Sequence, residues 1–458
     1  MSRALVSRPH NRIQPLTSAQ FRVLLLCDGR TDLDRDLLSG GERAALEFLL
    51  KEEVISAVDS PNPISRGQEY RRYDNRQVDS AFWSITGRCN YRCRHCYMDA
   101  PDAAMGELSH ERAMDLIDQF ARCGIFRVDL TGGEPLVRSD FWELVDAIRA
   151  RGMVIGQVYT NGWLVDEALL DKFKKRRLRP EFSISFDGVG WHDWMRGVKG
   201  AEEAALRALR LCVAEGFPVN VEMCLHRGNA HTLRETVKLL AGIGVPGVKV
   251  GPVSNTELWR KNAEGNDFGR KEYYKAAIDY IPRFYEDGCP MEVMLGSVIE
   301  MKKGTGEFMV IPERYDGTDH AKKHHLCGAV RHSCYISPDG RLLPCIPMTS
   351  CKEQELFPKI EDIGLQKGLS DSFYMKIADS RVADLIEVNK KCRECEYVLK
   401  CGGGCRASAL MCSGDVMGAD EEQCTLWREG WVDRIRQVAE DAIRRFPPKE
   451  TKDGSTAG

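Results

Sequence analysis

Hydrophobic and polar positions follow a regular rhythm over much of this chain. From Ala81 onward, short apolar runs alternate with stretches whose apolar residues recur at helical spacing. The predicted strands are Phe82–Thr86, Phe126–Thr131, Val154–Thr160, Phe182–Phe186, Val219–Leu225 and Val248–Val253. The predicted helices between them are Glu111–Cys123, Phe141–Arg151, Ala201–Glu215 and Leu233–Ile243. Six such strand–helix repeats predict an α/β fold with parallel strands, a barrel or open barrel over residues 80–290.

The first 70 residues have a different pattern. Leu16, Phe21, Leu24 and Leu25 fit one apolar helix face, and the Gly40-Gly41 pair interrupts it. Ala44–Lys51 predicts a second helix, and Val54–Val58 a short strand. Helix, turn, helix and strand together indicate a small winged-helix-like module over residues 1–70. Residues 59–78 are polar, contain two prolines and are predicted to be a linker.

The alternation of predicted strands and helices ends at about residue 290. Cysteine, glycine and proline accumulate between Cys327 and Cys424. A segment with little apolar periodicity and many cysteines is usually held together by metal, so we predict a metal-stabilised domain over residues 310–430. The tail, residues 446–458, is expected to be disordered because it is polar and begins with two prolines.

Composition narrows the class of protein. The chain has 458 residues, of which 43% are hydrophobic and 29% charged, and its net charge is −3. This balance gives no electrostatic reason to expect nucleic-acid or membrane binding, and the sequence contains no apolar run long enough for a membrane span. The N-terminus lacks the apolar region of a signal peptide, so we expect a cytoplasmic protein. Eighteen cysteines in a cytoplasmic chain indicate metal binding rather than disulfides.

The first cysteine group is Cys89, Cys93 and Cys96, in a loop that follows the first predicted barrel strand. One loop can bring three thiolates to three irons of a cubane cluster and leave the fourth iron open for a small molecule. The alternative is a zinc site completed by His95. His95 is adjacent to Cys96, however, and adjacent residues rarely chelate one tetrahedral ion well.

This loop resembles the radical S-adenosylmethionine (SAM) superfamily, and other segments match that family in the same order. Gly132-Gly133-Glu134-Pro135 ends the second strand, Thr160-Asn161-Gly162 the third and Ser183–Gly188 the fourth. The resemblance implies a 4Fe–4S cluster on the three cysteines and covers about residues 80–290. The resemblance assigns eight residues to the SAM site: Gly132, Gly133, Glu134, Pro135, Asn161, Ser185, Arg196 and, in the cysteine loop, His95. In the family, Glu134 would accept from the methionine ammonium group, and Arg196 would pair with the methionine carboxylate.

The implied chemistry is radical. In this superfamily a reduced cluster cleaves SAM to a 5′-deoxyadenosyl radical, which abstracts hydrogen from the substrate. An electron donor such as flavodoxin or ferredoxin is implied as a partner. The sequence identifies no catalytic base.

The remaining grouped cysteines lie near the C-terminus: Cys392-x₂-Cys395-x₅-Cys401-x₃-Cys405, then Cys424, with Cys327, Cys334 and Cys345 upstream. Two zinc sites are the alternative. The array resembles the SPASM extension of radical SAM enzymes, which holds two auxiliary 4Fe–4S clusters. The resemblance assigns Cys327, Cys334, Cys345 and Cys405 to one cluster, and Cys392, Cys395, Cys401 and Cys424 to the other. Cys334 fits least well, because only Cys327 has the usual distance to Gly340; without Cys334, the first auxiliary cluster would keep an open site. Cys351 and Cys412 are interpreted as ordinary thiols.

The SPASM resemblance implies a peptide or protein substrate. Ile346 occupies the position where sulfatase-maturing enzymes carry an aspartate, which disfavours that branch. The N-terminal segments Leu24–Arg30 and Glu53–Ile55 resemble the winged-helix element that binds the leader of ribosomally made peptides. DNA binding is disfavoured, because the arginines there are offset by aspartates: Arg30, Arg35 and Arg43 against Asp28, Asp32, Asp34 and Asp36.

The resulting hypothesis is a radical SAM peptide maturase of the sactipeptide or ranthipeptide type, which forms a thioether or other crosslink in a precursor peptide. One alternative is a maturase of a partner protein or redox-cofactor peptide. An alternative of another class is a non-catalytic iron–sulfur protein for electron transfer or peptide binding.

Overall fold

The structure is a computed structural model that describes residues 4–7, 12–33, 38–64, 78–98, 105–370 and 373–448. The strands are β1 Ala4–Ser7, β2 Arg12–Pro15, β3 Ser80–Ser84, β4 Arg127–Thr131, β5 Val154–Thr160, β6 Glu181–Ser185, β7 Val219–Leu225, β8 Gly247–Pro252, β9 Glu292–Leu295, β10 Ile299–Met301, β11 Phe308–Val310, β12 Ser333–Ile336 and β13 Leu342–Leu343.

The α-helices are α1 Ser18–Leu26, α2 Gly40–Lys51, α3 His110–Cys123, α4 Phe141–Ala150, α5 Glu167–Lys175, α6 His192–Arg196, α7 Ala201–Ala214, α8 Leu233–Ile243, α9 Glu257–Asn262, α10 Arg270–Glu286, α11 Ile360–Ile363, α12 Leu365–Gly368, α13 Phe373–Asp379, α14 Val382–Val388, α15 Lys390–Arg393, α16 Val398–Cys401, α17 Arg406–Ser413, α18 Glu421–Arg428 and α19 Trp431–Arg445. Short 3₁₀ turns occupy Pro135–Val137, Ala230–Thr232, Asp319–Lys323, Ala329–Arg331, Ile346–Ser350 and Lys352–Leu356.

An eleven-stranded sheet organises the fold, in the order β11-β10-β9-β8-β7-β6-β5-β4-β3-β12-β13. Strands β3 to β9 are parallel to one another, and β12 pairs with β3 in the same direction. Only β10, β11 and β13 are added by antiparallel pairing. The prediction of an α/β fold with a largely parallel sheet is confirmed. The six predicted strands all exist, and their ends differ from the prediction by at most two residues.

The strand register separates a helix-packed face of the sheet from an inner face. Trp83 contacts Phe120 of α3 and Phe182 contacts Phe173 of α5, with ring centroids 5.8 and 5.5 Å apart. We call this side the helix face. Residues of the opposite parity form the inner face, which is polar: it carries, for example, the ion pairs Arg127–Asp129 and Lys249–Glu222. Because side chains alternate along a strand, sequence parity fixes which face each residue occupies.

The C-terminal part shares the core of the sheet. One continuous hydrophobic core contains residues from Val78 to Ala442, including Cys334, Tyr335 and Leu410. A smaller cluster around Leu326, Leu385 and Val398 underlies the second half of the cysteine-rich segment. The cysteine-rich segment therefore packs directly against the strands and helices that precede it.

The N-terminal residues form an antiparallel pair, β1–β2, and two helices with a small core of their own, Val23, Leu38, Ala45 and Leu49. The predicted strand Val54–Val58 is wrong. Val54 and Ile55 instead donate their N–H groups to the Leu49 carbonyl, at 2.9 and 3.4 Å, and continue the last turn of α2. α2 begins earlier than predicted because Ser39 and Glu42 form a capping box around the glycine pair.

Some predictions fall on residues that the structure does not describe. These are most of the linker (65–77), the charges at Asp34, Arg35 and Asp36, and the tail from residue 449. In the described part of the chain, no helix combines the length and apolar character that crossing a membrane requires.

Candidate active site

The loop of Cys89, Cys93 and Cys96 follows β3 and is held by the ends of the neighbouring elements. Gly133 donates its N–H to Thr86 O, and Glu134 donates to Arg88 O, both at 2.9 Å. On the other side, Arg94 donates its N–H to Met195 O at 2.9 Å, within α6. The carboxyl ends of β3, β4 and β6 therefore converge on the three thiols, as expected at the active edge of a parallel sheet.

The glycine pair after β4 is required by this close approach. A Cβ on Gly132 would lie 2.5 Å from Thr86 O, and one on Gly133 would lie 2.3 Å from Arg88 O. Gly132 also has φ +151°, which side chains disfavour. The predicted Gly132-Gly133 element thus lets the backbone after β4 lie against the cysteine loop.

Glu134 joins the ends of β4 and β5. Its buried carboxylate accepts from the Thr160 hydroxyl at 2.9 Å, from Asn161 N–H at 2.8 Å and from Leu136 N–H at 3.1 Å. Burial raises the pKa of Glu134 to about 7, although these hydrogen bonds favour the ionised form. A carboxylate offers about four acceptor sites, so three donors leave one for a cationic ligand group.

The third predicted segment reaches the same loop. Asn161 donates its amide N–H to Asn90 Oδ1 at 2.7 Å, inside the cysteine loop. The structure therefore brings Gly132, Gly133, Glu134, Pro135 and Asn161 together beside the three cysteines. Ser185, at the carboxyl end of β6, is half-buried on the inner face.

Arg196 is nearly buried and has a partner that the sequence did not suggest. Its Nε lies 2.7 Å from Asp187 Oδ2, and its Nη1 lies 3.8 Å from Cys93 Sγ. Burial opposes the charge of Asp187, but Arg196 and a hydrogen bond with His192 outweigh it and hold the pKa of that carboxyl far below its usual range. A guanidinium has five N–H donors, so Arg196 can bind Asp187 and still meet a ligand carboxylate.

Asp187 also belongs to a compact polar cluster of three side chains beside Arg196. The ligand atoms of His95, Asp187 and Cys224 lie within 4.8 Å of one another. Burial and Arg196 lower the pKa of His95 to about 3, so its ring is neutral. The adjacent guanidinium disfavours a cation here, and we interpret the cluster as part of the pocket around the cysteine loop.

Cys224 was missed by the sequence analysis, which assigned it no role. The parity of β7 was the available signal. Val221 and Met223 are buried on the helix face, so Asn220, Glu222 and Cys224 belong to the inner face. The position of Cys224 at the carboxyl end of β7 then puts it at the active edge of the sheet.

Three C-terminal cysteines, Cys327, Cys345 and Cys405, form a second thiol group. Burial, followed by the Cys405 and Cys327 thiols, raises the pKa of Cys345 above its usual range. Cys345 precedes the turn Ile346–Ser350, which contacts α17, and Cys405 immediately precedes α17. Ser350 of that turn donates its hydroxyl to Tyr97 O at 3.5 Å, so the turn after Cys345 contacts the end of the first cysteine loop.

The structure does not place Cys334 in this group. Cys334 of β12 pairs in register with Ala81 of β3, and Ala81 has the parity of Trp83, which faces α3. Cys334 is fully buried on that helix face. Burial, and then the Cys123 thiol at the end of α3, raise the pKa of Cys334 to about 12.

The other four C-terminal cysteines form a third group. Cys392, Cys395, Cys401 and Cys424 all line one cavity of about 230 Å³. This is the set that the SPASM resemblance assigned to a single cluster. Of the two thiols interpreted as ordinary, Cys351 is buried and donates to Met348 O at 2.9 Å, and Cys412 is exposed.

The thiol spacing bears on the zinc alternative. Sulfur atoms that share one tetrahedral zinc lie about 3.8 Å apart, since each is about 2.3 Å from the ion. Within the described ranges, no three of the eleven grouped thiols have sulfur atoms within 4.8 Å of one another. None of the three thiol groups is therefore drawn together as tightly as one tetrahedral zinc ion requires.

Residues 83–240, which include the cysteine loop and β3 to β7, match the sequence profile of the radical SAM superfamily. The chain carries a radical SAM domain. The predicted radical SAM domain is confirmed for these residues. It is 33% identical to Fe-coproporphyrin III synthase of Methanosarcina barkeri over 218 residues, which are 46% of this chain and 54% of that one. The chain thus spans about half the length of that relative.

Other similarities extend beyond the radical SAM domain. The chain is 26% identical to the PqqA peptide cyclase of Granulibacter bethesdensis over 351 residues, 75% of this chain and 86% of that one. Its fold is similar to that of Streptococcus suis SuiB, in a crystal structure with the precursor peptide SuiA. The TM-score is 0.63, with 14% identity, and the match covers 92% of this chain and 96% of SuiB. At that identity the match with SuiB establishes a shared fold.

Proposed function

We propose that this protein is a radical SAM peptide maturase that crosslinks a ribosomally made precursor peptide, through a thioether or another bond. The observation that carries the proposal is the pair of thiol groups outside the radical SAM domain, one of which surrounds a single cavity with four cysteines. A relative named as a peptide cyclase covers three quarters of the chain, which supports the same substrate class. We place the radical SAM domain at residues 80–290, as a partial (β/α)₆ barrel, and the auxiliary-cluster domain at residues 310–430.

In this proposal Cys89, Cys93 and Cys96 hold the cluster that binds SAM. When bound, the cluster and SAM supply reductive cleavage to a 5′-deoxyadenosyl radical. Glu134 keeps one acceptor site for the methionine ammonium group, and Arg196, fixed by Asp187, offers its remaining N–H groups to the methionine carboxylate. Flavodoxin or ferredoxin is the proposed electron donor. These binding groups also argue against a non-catalytic iron–sulfur protein, which needs no SAM site.

We propose that residues 1–70 bind the leader part of the precursor. The segment has its own small core, separate from that of the sheet. It also exposes large apolar side chains on both helices: Leu25 is 48% exposed, Phe48 39% and Leu50 41%. An amphipathic leader would cover such side chains in a bound state.

A second candidate substrate is a tetrapyrrole, because the chain is 33% identical to Fe-coproporphyrin III synthase of Methanosarcina barkeri over 218 residues. That similarity spans only 46% of the chain. A maturase of a partner protein or redox-cofactor peptide is a further candidate. Each of these alternatives predicts a different product from the same radical chemistry.

The function is tested with anaerobically reconstituted protein, dithionite, SAM and the candidate precursor peptide. We expect 5′-deoxyadenosine release and a peptide product lighter by two hydrogen atoms in mass spectra. The same assay without residues 1–70 should retain 5′-deoxyadenosine release but form far less product. Conversion of a coproporphyrin and no change in any peptide would contradict the peptide proposal.

The position of Cys334 leads to a separate prediction about the first auxiliary cluster. We propose that Cys327, Cys345 and Cys405 hold this cluster and that Cys334 does not, which leaves one iron open. Cys334→Ser should retain the full iron content, because the thiol lies on the helix face with Cys123. Cys345→Ser should lose about one third of the iron, one of three 4Fe–4S clusters. Iron analysis and electron paramagnetic resonance (EPR) of both variants check this; equal losses would restore Cys334 as a ligand.

A further inference from the structure

A buried arginine lies between the two C-terminal thiol groups. Arg406 follows Cys405 and is 2% exposed. Its Nη1 donates to Val416 O at 2.7 Å and to Gly418 O at 2.9 Å, and its Nη2 donates to Gly403 O. These three carbonyls fix the guanidinium in place at the start of α17.

The charge of Arg406 acts on both thiol groups. The Cys405 thiol belongs to the second thiol group and the Cys392 thiol to the third. After Asp420, both thiols favour the charged form of Arg406 against its burial. The Nε–H of Arg406 is buried and has no hydrogen-bond partner in the described chain. A buried cation bonded to neutral carbonyls calls for nearby negative charge, which Asp420 supplies in part and to which thiolates and an anionic cluster would add.

Asp420 is a fixed anion at the same boundary. Its Oδ2 accepts from Cys405 N–H at 2.7 Å, and its Oδ1 accepts from the Ser408 hydroxyl at 2.8 Å. It also caps the first turn of α18 and lines the cavity of the third thiol group. A cation and an anion are therefore held by the backbone between the two proposed cluster sites.

We propose that Arg406 and Asp420 are positioning residues that set the reduction potentials of the auxiliary clusters, with opposite sign. The inference rests on the proposed cofactor content. Adding an electron makes a 4Fe–4S cluster more negative, so a fixed cation stabilises the reduced form and raises its potential. A fixed anion lowers the potential for the same reason. Net charge and hydrogen bonds around the cluster are among the main determinants of potential in this cofactor class.

The test is an EPR-monitored redox titration of the reconstituted full-length protein. Arg406→Gln should lower the midpoint potential of at least one auxiliary cluster, and Asp420→Asn should raise it. Arg406→Lys should fall between the wild type and Arg406→Gln, because it keeps the charge and loses the carbonyl contacts. The matched control is Arg393→Gln, beside Cys392. Arg393 is exposed and donates to the Ile386 and Glu387 carbonyls, so its loss should leave the potentials unchanged.

Opposite shifts support the proposal, because loosened packing or added water would move both variants in the same direction. Shifts of equal sign, or none, would overturn it. If Arg406→Gln does not take up clusters, Asp420→Asn decides alone: a raised potential supports the proposal, and an unchanged or lowered one overturns it. A wild-type protein with only the SAM-binding cluster would instead refute the proposed cofactor content.

Discussion

Replacing Cys93 with alanine is expected to abolish 5′-deoxyadenosine release by this protein. Cys93 is the central thiol of the loop, and Arg196 Nη1 lies 3.8 Å from its sulfur. In the proposed assignment the loop supplies three protein ligands, and removing one would leave a cluster with two. Changes in the groups that merely support a metal ligand already cost about 10- to 100-fold, so loss of the ligand itself should exceed about 100-fold. Release of 5′-deoxyadenosine under dithionite, measured by chromatography, gives the result.

The matched control for Cys93→Ala is Cys212→Ala. Cys212 is also a thiol of the radical SAM domain, buried in α7 and outside the three groups. It should keep wild-type 5′-deoxyadenosine release. EPR of Cys93→Ala should still show the proposed C-terminal clusters, which separates local loss of a ligand from unfolding. Substantial cleavage by a folded Cys93→Ala variant would contradict the role assigned to this loop.

Sequence order was enough to predict the cysteine loop and its neighbouring segments. Each short element lies at the carboxyl end of a parallel strand, and those ends meet at one edge of the sheet whatever the loop details are. Gly132 and Gly133 could be predicted for the same reason: the backbone crosses the cysteine loop there and leaves no room for Cβ.

The partners of the predicted residues could not be predicted in this way. The pairing of Arg196 with Asp187 depends on how α6 is oriented relative to the end of β6. The spacing of residues along the sequence does not determine that orientation. Cys334 illustrates the opposite problem. The SPASM resemblance assigned it to one cluster with Cys327 and Cys345, but the register with Ala81 turns its side chain to the helix face of the sheet.

The error at Val54–Val58 has a local cause. The run is rich in β-branched residues and suggests a strand, but it directly follows α2. The Leu49 carbonyl lies in the last turn of the helix, where carbonyl groups lack the usual partner within the helix. It accepts instead from the N–H groups of Val54 and Ile55, and these contacts hold the two residues in a turn rather than a strand.

Cys401→Ala is expected to separate SAM cleavage from peptide crosslinking. Cys401 ends α16 and lines the cavity with Cys392, Cys395 and Cys424, well outside residues 83–240. The variant should keep most of its 5′-deoxyadenosine release, because the SAM pocket is built from the ends of β3 to β7. It should form almost no crosslinked peptide, since one ligand of the second auxiliary cluster is gone. Parallel measurement of 5′-deoxyadenosine and of peptide mass gives both quantities from one reaction.

Cys412→Ala is the control for Cys401→Ala, because Cys412 lies in the same segment on α17 and is exposed. It should leave both measurements at the wild-type level. If Cys401→Ala reduces release and product equally, the C-terminal thiols only stabilise the fold, because a damaged scaffold would disturb the SAM pocket as well. If it reduces neither, the third thiol group is not required for crosslinking. Loss of product alone would place the auxiliary domain in the steps after SAM cleavage, where the peptide is already bound.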